Sequence, residues 1–380
     1  MDNSYMESGW WALKTINDKG LLYEGNKVLM YCPRCETPVS KAEVAMDSSY
    51  KTITEEAITV KFKIKNPKEH NFPEKTFILA WTTTPWTLPA NMAVAVGSLI
   101  QYVLVKKGEE YFVVAGERSE AVFKVDFEVV RKFDGSEIVG IEYEPLFENS
   151  LVQKTAKKSW FVTEGDFVTT TDGTGIVHIA NMYGEDDYQL GLRYDLPQIP
   201  MVSAGGMYNE NAPNFLQGIY YKKGEKLVKD DLVSRELLFS RENYTHEFPH
   251  CWRCETALIY KAVEAWFIAI EKIKQRLLEL NQKMHWIPDH LKDGRYKNIL
   301  ENAPDWNISR NRFWATPLPF WRCSDCKKVE VLGGVDELKL HSKKSGNRYF
   351  VMRHGEADSN VAGVMSSLYD APSHLTEKGR

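Results

Sequence analysis

Six cysteines fall into three Cys-x-x-Cys pairs: Cys32 and Cys35, Cys251 and Cys254, Cys323 and Cys326. The first two pairs share their flanks, since Cys32-Pro33-Arg34-Cys35-Glu36-Thr37 is echoed by Cys251-Trp252-Arg253-Cys254-Glu255-Thr256. Each such knuckle puts two thiolates on one tight turn, and two knuckles make the tetrahedral sulfur set that suits a closed, structural zinc. Two unrelated reduced pairs are the alternative, and the matching flanks put zinc ahead. The third pair has no mate in this chain. It reads as half of another zinc site with its other thiolates expected beyond Arg380, a weak signal by itself. The other concentration of chemistry is Trp81-Thr82-Thr83-Thr84-Pro85-Trp86-Thr87-Leu88-Pro89-Ala90-Asn91. Threonine offers a donor, an acceptor and a methyl on a stiff side chain, and the prolines fix φ. Such a loop can hold a small polar group by shape, or it can be a strand-to-turn corner whose threonines cap backbone groups. Taken alone, the stretch favours the corner.

The elements that must position these residues are short and β-rich. Runs at 57–64, 77–80, 92–96, 102–106, 111–115 and 127–130 are separated by turn residues, which predicts a barrel-like sheet with few helices. A further strand is expected at 176–180, carrying His178, and a helix from Asp186 to Tyr194. A lone strand histidine and acids in a first helical turn read as structural by themselves. Helices are also expected over Ser8–Lys19, ending at Gly20, over Trp266–Leu280, and in pieces over Trp286–Asn302. If the first two knuckles share one metal, everything between them is an insertion with clamped ends.

At 380 residues the chain should hold two or three domains. Its apolar fraction of 43% is ample for a core, and a net charge of −4 argues against a globally basic nucleic-acid coat. Lys154, Lys157 and Lys158, and Lys222, Lys223, Lys226 and Lys229, could meet phosphates, but a solvated face is the better reading of either cluster. No apolar run approaches the roughly 18 residues of a membrane span. No secretory signal is visible, and paired cysteines suit metal in a reducing compartment, so a cytoplasmic location is expected.

The threonine-rich stretch resembles the editing strip of isoleucyl-tRNA synthetases of class I; the valine and leucine enzymes carry an arginine-containing version. Gly173-Thr174-Gly175-Ile176-Val177-His178-Ile179-Ala180 with Gly184-Glu185-Asp186-Asp187-Tyr188 resembles the partner motif. Asn181 stands where that family usually has proline, a change expected to loosen the loop after His178. The resemblance implies an α/β mixed chain: a β-barrel-like editing domain inserted in a partly present Rossmann-like catalytic domain, on a zinc-knuckle base. It divides the chain into 1–47 with the first knuckle, 48–240 as editing domain, 241–300 with the second knuckle, and 301–344 returning to the catalytic domain. Along that return, Trp306 and Arg310 would flank nucleotide or tRNA end, with ordinary packing at even odds.

The implied chemistry is hydrolysis of valine mischarged onto tRNA(Ile). One methylene discriminates by only about 10–200-fold, a limit for which this family is itself the standard illustration. Asp187 would meet the substrate ammonium, Thr84 and His178 would reject isoleucine, and Thr82, Thr83 and Asn91 would hold ester and water. Either His178 or the terminal ribose hydroxyl could activate the water. The parent enzyme would use ATP and Mg2+ to charge tRNA(Ile) with isoleucine, as a monomer; its HIGH and KMSKS motifs are not in this stretch. Arg348 to Asn360, with Leu375-Thr376-Glu377-Lys378-Gly379, resembles the start of a histidine phosphatase (phosphoglycerate mutase-like) module at 345–380. Its residues would be Arg353, His354 and Asn360, in a truncated site. The rival readings are a phosphatase or mutase with an N-terminal extension, and a non-catalytic zinc-stabilised tRNA-binding module.

Overall fold

The computed structural model describes residues 2–45, 49–310 and 316–341. Arg353, His354 and Asn360 lie outside them. The chain divides into two compact units, one holding Thr15–Leu318 and the other the residues before and after it. The latter unit carries the start of the helix Asn3–Asp18, which was expected from Ser8. It also carries a hairpin of Phe320–Arg322 with Val329–Val331 that turns through Cys323 and Cys326, and the helix Val335–His341. The Val335 N–H donates to the Glu7 carboxylate.

The larger unit begins with β1 (Leu22–Cys32) and β2 (Tyr50–Lys63). β3 (Thr76–Thr82), β4 (Ala93–Val96), β5 (Gln101–Lys107), β6 (Glu110–Ala115), β7 (Glu128–Asp134), β8 (Phe161–Glu164) and β9 (Val177–Ile179) follow. Then come α1 (Glu185–Arg193), α2 (Tyr221–Ser234), β10 (Leu238–Pro249), β11 (Ile259–Ile268) and α3 (Ile270–Lys283). The central sheet runs β7-β5-β6-β3-β9-β4-β8, with β2 and β10 on the other side of β3. Its strands are apolar on both faces because each face has its own core. Ile78, Ala80, Leu104, Val113 and Ala115 enter one cluster. Phe77, Leu79, Val103, Val105, Phe112 and Val114, the alternate residues, enter another with Phe123.

The sheet curls until it closes. β3 pairs with β6 through Thr76–Ile78 and with β9 at Trp81, so it forks between two neighbours. Beyond β8, Glu142 bridges Phe161, and the adjacent Tyr143 bridges Ile64 at the end of β2. The expected barrel is present, sealed by this two-residue seam. Two antiparallel ribbons leave it: β2 with β10, from Val60↔Leu238 to Tyr50↔Pro249, and β1 with β11, from Leu22↔Ile268 to Tyr31↔Ile259.

One expected element is wrong. Trp266, Phe267 and Ile268 are the end of β11 rather than the start of a helix, which begins at Ile270. Phe267 is opposite Tyr23 in the register and stacks on its ring at 5.5 Å, so pairing with β1 overrides the helical spacing.

Candidate functional site

The pairing of Trp81 with Val177 brings the threonine strip beside the strand that carries His178. Together they line a cavity of about 430 Å3 that contains Thr82, Thr83, Thr84, Thr87, His178 and Asp187. Its far wall is the arm Thr169, Thr171, Asp172 and Gly173, and Trp81, Phe167 and Tyr260 supply rings. The strip is held from behind. Trp86 is buried and packs edge-on against Tyr183 at 5.1 Å and Tyr221 at 5.0 Å. The Tyr208 hydroxyl donates to the Trp86 carbonyl at 2.7 Å. Thr82 accepts from the Thr84 N–H at 3.0 Å, a local turn bond of the kind threonine makes readily. No hydrogen bond engages the Thr83 hydroxyl among the described residues, so it is available to a ligand.

His178 lines the cavity wall. It is buried, and Asn91 donates an amide N–H to its Nδ1 at 2.8 Å. That leaves the proton on Nε2, which donates to Thr87 Oγ1 at 3.0 Å, while Thr87 donates to the Thr84 carbonyl at 2.9 Å. Both ring nitrogens are engaged, and burial lowers the imidazole to about 3, outweighing the bond at Thr87. The geometry thus shows a neutral imidazole with both nitrogens hydrogen-bonded within the protein.

Asn91 also departs from its expected place. It is buried, donates to Ala93 O at 2.7 Å and accepts from the Tyr143 hydroxyl at 2.7 Å. It stands behind His178 and does not line the cavity. The structure thus gives Asn91 protein partners and places it off the cavity wall.

Asp187 lies in the first turn of α1, its carboxylate folded back to accept the Ala180 N–H at 2.8 Å. A Cβ on Gly184 would stand 2.9 Å from its Cγ, so that glycine leaves room for the carboxylate. Burial pushes Asp187 up to about 7, against the help of the Ala180 N–H. A carboxylate so desolvated is strongly disposed to accept a cation. Asn181 is buried: its amide donates to Pro197 O at 2.9 Å and its Cβ side packs on Gly191, while its Oδ1 has no hydrogen-bond partner among the described residues.

The arm opposite the strip depends on two left-handed glycines, Gly173 (φ +62°) and Gly175 (φ +71°). A Cβ on Gly175 would meet Ala115 Cβ at 2.4 Å, whereas one on Gly108 (φ +62°) would meet nothing within 4 Å. Gly175→Ala is expected to cost about 3 kcal/mol, backbone strain plus overlap, and Gly108→Ala about 1 kcal/mol from strain alone. Urea unfolding midpoints of the two variants check this difference. Sequence reasoning missed the arm, yet Thr169-Thr170-Thr171 just before the glycine motif repeats the hydroxyl run of Thr82-Thr83-Thr84.

The four sulfurs of Cys32, Cys35, Cys251 and Cys254 lie within 4.8 Å of one another. Cys254 Sγ is 3.5 Å from both Cys32 and Cys35. A tetrahedron with metal–sulfur bonds of about 2.3 Å needs sulfurs about 3.8 Å apart, so the set fits zinc. Cys323 and Cys326 are exposed. Trp306 pairs with Ile268 and leaves its ring exposed, while Arg310 turns back onto the carbonyls of Asn307 and Ser309; neither lines the cavity. Lys157 is paired with Asp195 on an exposed face, whereas Lys222 is paired with the part-buried Glu55 and the part-buried Lys229 with Glu56, so the second cluster is not a simple solvated face. Among the described residues, no helix is long and apolar enough to cross a membrane.

Residues 1–361 match the family of tRNA synthetases class I (I, L, M and V). An isoleucine–tRNA ligase of Clostridium novyi is 44% identical over 337 residues, covering 89% of this chain and 31% of the relative. One from Treponema denticola is 40% identical over 409 aligned positions, covering 100% of this chain and 37% of the relative. The chain thus spans about a third of the length of these relatives. A solved editing domain of the P. falciparum cytosolic leucyl-tRNA synthetase covers 50% of this chain and 99% of its own, at 12% identity and a TM-score of 0.37, a loose likeness. With a family match over most of its length and relatives at this identity, the chain belongs to the class I tRNA synthetases.

Proposed function

We propose that the chain is the editing portion of an isoleucine–tRNA ligase and that its cavity hydrolyses valine esterified to tRNA(Ile). The observation that carries this reading is one cavity with the hydroxyls of Thr82, Thr83 and Thr84 and the carboxylate of Asp187 on its walls. Asp187 takes the ammonium of the aminoacyl group. The strip orients the ester, and His178 with Thr84 limits the side-chain space. A water attacks the ester carbonyl carbon and the C–O bond to the ribose breaks. The water's proton passes to the leaving ribose oxygen, which gives free valine and a tRNA with its terminal hydroxyl restored. With His178 neutral and fully engaged, a neighbouring ribose hydroxyl is the group left to orient that water.

The division at residues 47, 240, 300 and 344 belongs to the same proposal. So do zinc held by Cys32, Cys35, Cys251 and Cys254, half of a second zinc site at Cys323 and Cys326, and a histidine-phosphatase-like stretch from 345. In the whole protein, ATP and Mg2+ would serve the charging of tRNA(Ile) with isoleucine. The test is deacylation of Val-tRNA(Ile) and Ile-tRNA(Ile) by this chain. Cleavage of the valyl ester alone is expected; equal rates, or none above the uncatalysed background, would overturn the assignment of the cavity.

A further inference from the structure

We infer that Tyr143, a residue outside the cavity, sets its selectivity by fixing the place of His178 through Asn91. This rests on the editing reading for its functional part, but the relay itself is a property of the fold. Tyr143 belongs to the seam that closes the barrel, where it bridges Ile64. Its ring is wholly buried and meets Phe62 edge-on at 5.1 Å. From there its hydroxyl reaches inward and donates to Asn91 Oδ1 at 2.7 Å.

The polarity of every later bond is set by the Ala93 carbonyl, which can only accept, while the phenol holds the amide in place at Oδ1. With Oδ1 taken by the phenol, the two amide N–H groups face Ala93 O at 2.7 Å and His178 Nδ1 at 2.8 Å. A carbonyl can only accept, so the amide cannot be turned over without setting oxygen against oxygen. His178 Nδ1 must then be the bare nitrogen and Nε2 the protonated one. Nε2–H occupies the acceptor side of Thr87, which forces the Thr87 hydroxyl to donate to the Thr84 carbonyl at 2.9 Å. The chain ends on the residue whose side chain shares the cavity wall with His178. Four side chains thus link the seam by unbroken hydrogen bonds to the wall that must tell isoleucine from valine. A buried acceptor left without its donor is the costly case, so the relay is sensitive to the loss of a single oxygen.

Tyr143→Phe removes that oxygen and keeps the ring. The valyl-ester rate is expected to stay within about threefold, while the ratio of valyl to isoleucyl cleavage falls by about tenfold, the equivalent of one buried hydrogen bond. Phe62→Leu, which disturbs the same packing without touching the relay, is expected to leave the ratio unchanged. Nitrogen NMR of labelled imidazole reads the relay without any substrate: His178 should show a bare Nδ1 and a protonated Nε2 in the parent chain, and the same tautomer with shifted and broadened signals in Tyr143→Phe, where the amide is no longer held at Oδ1. An unchanged ratio in Tyr143→Phe, or an equal fall of both esters, would overturn the selectivity role. An Nδ1-protonated imidazole in the parent chain would overturn the relay, whether or not the cavity proves to be a deacylase.

Discussion

Asp187→Ala is expected to lower kcat/KM for valyl-ester cleavage by about 100-fold, the scale of one hydrogen bond to a charged group. Substrate binding through the rest of the tRNA should persist. The carboxylate is a charged group on the cavity wall and its seat is prepared, with the Ala180 N–H on one side and the empty Cα of Gly184 on the other. Asp187→Asn separates charge from shape, because the amide can still accept from Ala180. If the Asp187→Asn variant were as active as the parent, the ammonium-anchor role would fail. The same variant carries a second expectation. The folded carboxyl, at about 7, lies above its ordinary value of 3.8. Between these values the folded chain holds a proton that the unfolded chain has lost, so the carboxyl's contribution to stability falls as pH rises through that window. Asp187→Asn should therefore raise the melting temperature at pH 8 and leave it unchanged near pH 3. In the parent chain, kcat/KM should rise with pH through about 7 as the carboxylate ionises.

Cys251→Ser, or chelation, is expected to remove one zinc per chain and to lower the melting temperature by on the order of 10 °C, equivalent to about 3 kcal/mol or more for a unit of this size. Cys32 and Cys251 are buried and Cys35 and Cys254 half-buried; burial raises the Cys32 thiol and carries that of Cys35 up to about 11. Without a cation these groups stay protonated and their crowding has no attractive counterpart. The full loop-closure effect of joining positions more than 200 residues apart is not expected, because the two ribbons already close the same loop. The loss should be local. Hydrogen exchange should accelerate at Val39, Val44 and Leu258, which pack with the cysteines, and remain slow in β3 to β6. Retention of the parent melting temperature by metal-free protein would rule out zinc as a structural element.

The barrel strands were legible in the sequence because their runs end at turn residues and are apolar in both alternating registers. The knuckles were legible because their spacing and flanks repeat. The cavity was legible only as two motifs, since nothing local says that Trp81 pairs with Val177 in a parallel register. Asn91 was misplaced for the same reason. Its neighbours Tyr143 and His178 are distant in sequence, and a buried amide looks the same on paper whether it faces substrate or holds a histidine. Trp266 to Ile268 carried a helical pattern that only the partner strand β1 corrects. Tyr143 had no signal at all: in Ile141-Glu142-Tyr143-Glu144 it reads as one more alternating residue, and its role comes from the seam.

The cross-strand partners Tyr50 and Pro249 mark where the chain enters and leaves the ribbon that carries the barrel, and they are one ladder position of it. A segment whose two ends coincide in space can be gained, lost or exchanged in evolution without rerouting its host. The barrel is in that sense a cassette: joined end to end it would make a circle, and set into another surface turn it would ask for no more room than a hairpin.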